Sequence, residues 1–323
     1  MSTLRLGTRG SQLALFQANA VAALLLREAQ VPCEIVVIRT SGDRLAEAAL
    51  SEIGGKRLFV KEIEDALLAG DVDLAVHSSK DMPAVLPDGL DIGAVLPRED
   101  PRDAVVLPSP SAASLSVEAI VRTLGREPRI GTSSVRRSAQ LVRLFPGASF
   151  LPIRGNLDTR LRKLDAGGYD AIVLAAAGLR RLEQASRISG TLPVDACVPA
   201  PGQGTIAVEI RRADERVRRH VARIDDPDAA RALRAERAVV TRLGGGCQMP
   251  IGAYAEISRE SMTLTGVVIS PDGARLARAS ATGLASNADA IGVDVAEQLL
   301  KDGAGDILED VQRTQASVEG LQP

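Results

Sequence analysis

The sequence predicts an α/β protein of two lobes around a cleft, followed by a smaller α+β domain. Three observations carry this. At 323 residues the chain is longer than one hydrophobic core usually supports, so two or three domains are expected. Extended and helical patterns alternate in two successive blocks, separated by a Pro- and acid-rich stretch at 97–102. After residue 226 the character changes to one long helix and then alternating segments joined by turns. Hydrophobic residues make up 45% and charged residues 25%, while aromatics are only 2% with no Trp, so the core must be built from Leu, Val, Ile and Ala.

Taken in order, residues 4–8 read as a short strand, and Ser11 heads a helix to about residue 28 with Leu13, Phe16, Ala20 and Leu24 on one stripe. Residues 34–40 are a β-branched strand, 60–68 a helix, and 73–77 and 90–95 strands. The pattern then restarts: 104–107 extended, 117–124 helical, 129–131 a strand, 134–145 a helix. Strand 149–153, helix 157–165 and strand 170–175 follow. This alternation predicts mainly parallel sheets. Residues 195–204, with Pro199 and Pro201, read as a second crossing into a strand at 205–210. A helix over 227–243 leads through a glycine loop to extended segments around 251–257, 262–269 and 277–283, then helices near 289–301 and 305–311. No internal repeat or low-complexity tract stands out.

Composition excludes several classes. A net charge of −2 argues against a general polyanion binder, and stacking aromatics for nucleic acid are lacking. The three cysteines, Cys33, Cys197 and Cys247, are far apart and show no metal-ligand spacing, so no metal is expected. No secretory signal and no apolar run of membrane-spanning length is seen, so a soluble, reduced, cytoplasmic protein is expected.

The most distinctive local feature is a lone cysteine in a glycine run, Gly244-Gly245-Gly246-Cys247-Gln248-Met249-Pro250. Three glycines remove side-chain cover and allow positive φ, so the thiol can be carried clear of its own domain. Alone, a glycine turn that happens to contain Cys explains it equally well. Between Arg129 and Arg181 ten basic residues stand against three acidic ones. Thr132-Ser133-Ser134 follows a strand, and Arg136 and Arg137 lie in the first turn of the next helix. Arg154-Gly155-Asn156 repeats the arrangement, with Asn156 as N-cap. Strand ends with hydroxyls and arginines suit carboxylate recognition. A solvated helix face is the plainer account of Arg143, Arg162 and Lys163. Gly7-Thr8-Arg9-Gly10-Ser11 and Gly54-Gly55-Lys56-Arg57-Leu58-Phe59 are further basic glycine turns; neither is a full P-loop. In Val76-His77-Ser78-Ser79-Lys80-Asp81-Met82-Pro83 a strand delivers Lys80 and Asp81 to its end. Asp81 is there one acid among many cations, suited to proton transfer, and the bland alternative is a surface pair of little energetic weight. His77 reads as a hydrogen-bonded strand-end residue.

In order along the chain, GTRGSQLAL at 7–15, GGKRLFVKEIE at 54–64, AVHSSKDMP at 75–83, RIGTSSVRR at 129–137, IRGNLDTRL at 153–161, AAAGLRRL at 175–182, PAPGQG at 199–204 and GGGCQMPIG at 244–252 strongly resemble the porphobilinogen deaminase (hydroxymethylbilane synthase) family. The resemblance implies a transferase of tetrapyrrole (haem) biosynthesis that joins four porphobilinogen molecules head to tail into hydroxymethylbilane, releasing four ammonia. It implies a dipyrromethane cofactor thioether-linked to Cys247, and deamination of substrate to an azafulvene that the terminal pyrrole α-carbon attacks. It implies Asp81 as catalytic acid, with cofactor binding by Lys80, Asp81, Thr132, Ser133, Ser134, Arg136, Arg137, Arg154 and Gly155. Arg9, Ser11, Arg154, Arg160 and Arg181 would bind substrate, and Lys56 and Phe59 would lie on a mobile loop. Glu52 stands where some relatives place a lysine. The implied fold is two periplasmic-binding-protein-like α/β domains around a cleft, residues 1–100 with 200–222 and residues 103–197, plus an α+β domain at 225–323 that presents the cysteine loop. The expected partner is porphobilinogen, with neither nucleic acid nor membrane, and the expected state is a monomer. A receptor for a small dicarboxylate on the same scaffold is the competing account; it needs neither Cys247 nor Asp81.

Overall fold

The computed structural model describes residues 3–40, 60–108, 114–246 and 248–319. The first sheet holds β1 (Leu4–Thr8), β2 (Cys33–Val37), β3 (Leu74–Ser78), β4 (Leu90–Val95) and β10 (Ile206–Arg211), in the order β2-β1-β3-β10-β4. The second holds β5 (Asp103–Val106), β6 (Arg129–Gly131), β7 (Ser149–Leu151), β8 (Ala171–Ala175) and β9 (Gly190–Thr191), in the order β7-β6-β8-β5-β9. A third sheet, β11 (Ile251–Ser258), β12 (Ser261–Ile269) and β13 (Leu276–Leu284), is an antiparallel meander.

The first two sheets have the same plan, which the sequence reading did not find. β1 pairs parallel with β2 and β3, as β6 does with β7 and β8. In each, one strand reached by crossing from the other lobe, β10 or β5, runs antiparallel to both neighbours. The expectation of mainly parallel sheets is therefore corrected to mixed sheets. The reason is the crossing itself: a strand arriving from the opposite lobe enters from the far end of the sheet. The repeat extends to side chains. Arg5 donates to Asp73 from its backbone N at 2.8 Å and from Nη2 at 3.0 Å, and to Gly70 O at 2.7 Å. Arg129 donates to Asp170 from N at 2.7 Å and Nη2 at 2.8 Å, and to Gly167 O at 3.3 Å. Only Arg-Leu-Gly-Thr at 5–8 against Arg-Ile-Gly-Thr at 129–132 signals this in sequence.

Helices cover the sheets, and side-chain caps fix several of their starts. Ser11 accepts from Ala14 N at the head of α1 (Gln12–Ala29). α2 (Lys61–Ala69) and α3 (Val117–Leu124) follow. Ser134 caps α4 (Val135–Leu141), which stops short of the expected residue 145, and Asn156 caps α5 (Leu157–Asp165). α6 (Ala176–Arg181) and α7 (Glu215–Val221) are short helices absent from the sequence reading. α8 (Pro227–Arg242) starts at Asp226 with Pro227 at its first position, where a missing N–H costs nothing. α8 and α9 (Ala288–Lys301) pack on the third sheet, and α10 (Ala304–Glu319) closes the chain. α8 and α9 touch at Gly292, where a Cβ would lie 2.4 Å from Ala235 O, so only glycine allows that approach. The cores are mainly Leu, Val, Ile and Ala, in keeping with the aromatic-poor composition. No helix among the described residues is long and apolar enough to cross a membrane.

Candidate active site

Strand ends of both lobes meet beneath the two crossing segments. β3 runs into a single tight turn, Ser79–Asp81, closed by Met82 N donating to Ser79 O at 3.1 Å. Pro83 has no N–H with which to continue it. The turn buries Ser79 against Gly202 and leaves Asp81 exposed, so a carboxylate stands at the end of an otherwise buried strand. Lys80 points toward the second crossing, its Nζ 3.4 Å from Gln203 Oε1.

On the second lobe, the first turn of α4 aims Arg136 and Arg137 at Asp103, the first residue of β5. Asp103 is fully buried. Its Oδ2 lies 2.8 Å from Arg136 Nη1, and its Oδ1 lies 2.8 Å from Arg137 Nη2 and 2.9 Å from Arg137 Nε. Gln203 Nε2 donates to Oδ1 at 2.9 Å and Cys197 Sγ to Oδ2 at 3.3 Å. Burial alone would raise the Asp103 carboxyl, but the charges of Arg136 and Arg137 outweigh it and hold it far below the usual carboxylate range. Burial, with help from Asp103, pushes the Cys197 thiol up to about 12, so it is an inert hydrogen-bond donor.

Two further cations are lowered from their ordinary values. Burial and then Arg137 lower Lys80 to about 8, against the opposing pull of Asp81 and Asp103. Burial and then Arg137 lower Arg160 to about 10, with Asp81 opposing and Arg154 adding to the effect. Arg160 Nε donates to Gly155 O at 2.8 Å. Gly155 has φ +106 and would place a Cβ 2.6 Å from Thr159 Cγ2, so this bend requires glycine. Cations lowered by desolvation and by a neighbouring arginine, with Asp81 the acid common to both, form a donor set that fits a ligand rich in carboxylates.

Lys80 and Arg160 thus each feel Arg137 and Asp81, and Arg160 feels Arg154 as well, which draws residues of both lobes together. The other expected residues stand as follows. Arg136 is 4% exposed, its Nη1 held by Asp103 and by Val198 O at 2.7 Å, while its Nε is buried without a partner. Thr132 Oγ1 accepts from Ser134 N at 3.2 Å, Ser133 Oγ donates to Ile153 O at 2.8 Å, and Ser134 caps α4. Ser11 caps α1, and Arg9 beside it is half-buried. Arg181 Nη2 donates to Gly204 O at 2.7 Å, and burial lowers its guanidinium. His77 meets Glu209 Oε2 at 2.9 Å inside the first lobe. Lys56, Phe59, Glu52 and Cys247 lie outside the described residues.

The sequence reading missed Asp103, Gln203 and Glu236. An acid opening the apolar run Ala104-Val105-Val106-Leu107 is a usable signal, because a carboxylate that starts a buried strand needs a buried cation.

Two family models match the chain: "Porphobilinogen deaminase, dipyromethane cofactor binding domain" over residues 4–219 and "Porphobilinogen deaminase, C-terminal domain" over 230–301. Curated porphobilinogen deaminases are close relatives. That of Syntrophobacter fumaroxidans is 47% identical over 313 residues, covering 96% of this chain and 98% of its own. Those of Geobacter metallireducens and Moorella thermoacetica are each 45% identical, covering 98% and 99% of this chain and 97% and 100% of their own. Among solved structures, the methionine binding protein MetQ aligns with TM-score 0.43 at 13% identity over 73% of this chain and 96% of that one. Family models spanning both lobes and the third domain, with full-length relatives near half identity, leave one assignment: the chain belongs to the porphobilinogen deaminase family, the hydroxymethylbilane synthases of tetrapyrrole synthesis.

Proposed function

We propose that this chain builds hydroxymethylbilane from four porphobilinogen molecules on a dipyrromethane primer joined by a thioether to Cys247. The observation that carries the site assignment is the gathering of Lys80 and Arg160, each lowered by burial and then by the charge of Arg137, around the exposed carboxylate of Asp81. Each pyrrole unit brings an acetate and a propionate, so a lengthening chain supplies carboxylates that suit this cluster of cations. Lys80, Arg137, Arg154 and the hydroxyls of Thr132 and Ser134 would hold the primer's carboxylates, while Arg160, Arg181, Arg9 and Ser11 would hold those of the substrate. The primer, when bound, supplies a terminal pyrrole with a free α-carbon for each condensation. Asp81 accepts a hydrogen bond from pyrrole N–H groups and handles the proton that leaves with ammonia. Arg136, tied to Asp103, acts by holding the hinge under this cluster.

Supporting the three-part organisation, with boundaries near 97–103, 194–202 and 222–225, are the three separate sheets and their cores. Unpaired Cys33 and Cys197 are in keeping with a reducing, cytoplasmic setting, and the working unit is a monomer. The test is the intact mass of the denatured protein, with peptide mapping of Cys247. A mass increase of two condensed pyrrole units on that residue is expected. A chain still unmodified after incubation with porphobilinogen would overturn the reading.

A further inference from the structure

Resting on that function, we infer that Gln203 is a positioning residue that sets Lys80 of one lobe against Arg137 of the other for carboxylate binding. Gln203 sits in the second crossing and is fully buried. Both of its amide protons are committed: Nε2 donates to Pro101 O of the first crossing at 2.7 Å and to Asp103 Oδ1 at 2.9 Å. These two acceptors fix the amide's orientation. Turned over, its oxygen would face a carbonyl and a carboxylate, and its NH2 would face two cations. In the observed sense, Oε1 lies 3.4 Å from Lys80 Nζ and 3.5 Å from Arg137 Nη2. Both contacts are at the long end, as expected for one oxygen shared by two cations that repel each other.

The consequence is a defined spacing. Lys80 comes from the turn after β3 and Arg137 from α4, and this amide oxygen accepts from both. Asp103 neutralises Arg137 from beneath, and Asp81 acts on Lys80 from the cleft side. Gln203 adds no charge of its own, so it separates the cations without cancelling the field a carboxylate would feel. The same amide ties the first crossing to the second through Pro101 O, so movement of either hinge displaces Lys80 relative to Arg137. Among the described residues, the groups acting on Lys80 include Asp81, Asp103, Arg136 and Arg137 together with this amide.

The experiment compares Gln203→Met, which keeps volume and removes the amide, with Gln203→Glu, which puts a negative charge between the cations. Each is purified, checked for cofactor by intact mass, and assayed for ammonia release from porphobilinogen across pH 7 to 9.5. Gln203→Met is expected to keep its covalent cofactor but to hold the cofactor's carboxylates less well, lowering kcat/KM for porphobilinogen roughly 10-fold, as for a lost hydrogen bond to a charged group. Lys80 loses its charge as pH rises through about 8, so kcat/KM of the parent falls on that limb. The limb moves to lower pH in Gln203→Met and to higher pH in Gln203→Glu. Limbs that coincide, or that move in the same direction in both variants, overturn the inference, because a purely structural role has no sign. Should Gln203→Met not fold, Gln203→Asn, which withdraws the carbonyl by one methylene, is expected to shift the limb as Met would. If the parent chain releases no ammonia from porphobilinogen, the proposed function falls, and this inference with it. If the parent is active and the limbs do not separate, only the inference falls.

Discussion

Glu236 on α8 is the residue whose loss this fold should tolerate least. Its carboxylate is fully buried and both oxygens are fully used. Oε1 accepts from Arg98 Nη1 at 2.5 Å and from Ala255 N at 2.8 Å, while Oε2 accepts from Gly202 N at 2.6 Å and from Arg98 Nη2 at 3.3 Å. Arg98 lies in the first crossing, Gly202 in the second and Ala255 in β11, so one side chain joins both hinges to the third domain. Arg98 also donates from Nε to Gln203 O at 2.9 Å and lies over the Tyr254 ring at 4.9 Å.

Consider Glu236→Gln, which preserves size. Whichever way the amide turns, its NH2 meets one backbone N–H and one arginine N–H, so two donors lose their acceptor. Each such loss in a buried setting costs about 1–3 kcal/mol, and the arginine charge, 13% exposed, loses its partner as well. A total of roughly 3–5 kcal/mol follows, the range for breaking a buried ion pair from one side. Removing the charge from both sides should cost less than the sum. In Arg98→Met with Glu236→Gln only one backbone donor remains opposed, and a coupling of about 1–3 kcal/mol is expected. Urea unfolding of the parent, both single variants and the double variant measures each corner of the cycle. A Glu236→Gln chain within about 1 kcal/mol of the parent, or strictly additive single effects, would refute the four-acceptor account.

Two further outcomes follow from the site. Asp81→Asn removes an exposed carboxylate and breaks no core contact, so it should fold, carry its cofactor and lose roughly 10²–10⁴-fold in turnover; near-parental turnover with intact cofactor would take Asp81 out of the chemistry. Asp103 makes the fold acid-sensitive, because Arg136 and Arg137 hold its carboxyl below the ordinary range despite burial. A depressed acid contributes its full stabilisation above the unfolded value, near pH ~4, and loses it as pH falls toward the lower folded value. The stability difference between the parent and Asp103→Asn should therefore be flat at neutral pH and shrink below about pH 4; a difference that grows on acidification would contradict the assignment.

What the sequence discloses here follows from the range of each interaction. Local rules place the helix starts: Ser11, Ser134 and Asn156 each accept from a backbone N–H three residues on, an arrangement fixed within a few residues of chain. The turn that exposes Asp81 is equally local, a strand end stopped by Pro83. The arginines were visible as types, but their partners were not. Arg136 and Arg137 meet Asp103 across more than thirty positions, and Gln203 lies a hundred positions from the Asp103 it holds. Nothing in the spacing of Arg136 distinguishes a guanidinium buried on a hinge carboxylate from one presented to a ligand; only the path of β5 between β8 and β9 does. That path also explains why the sheets are mixed. Alternating strands and helices in sequence argue for parallel neighbours only while consecutive strands stay in one lobe, and β5 and β10 each enter from the other. The two crossings that reverse those strands are also the segments that carry Arg98, Pro101 and Gln203. Strand direction, hinge and cation spacing are thus set by one topological choice. A perturbation of the Gln203 bonds should for that reason appear first in carboxylate binding, before any loss of the cores on either side.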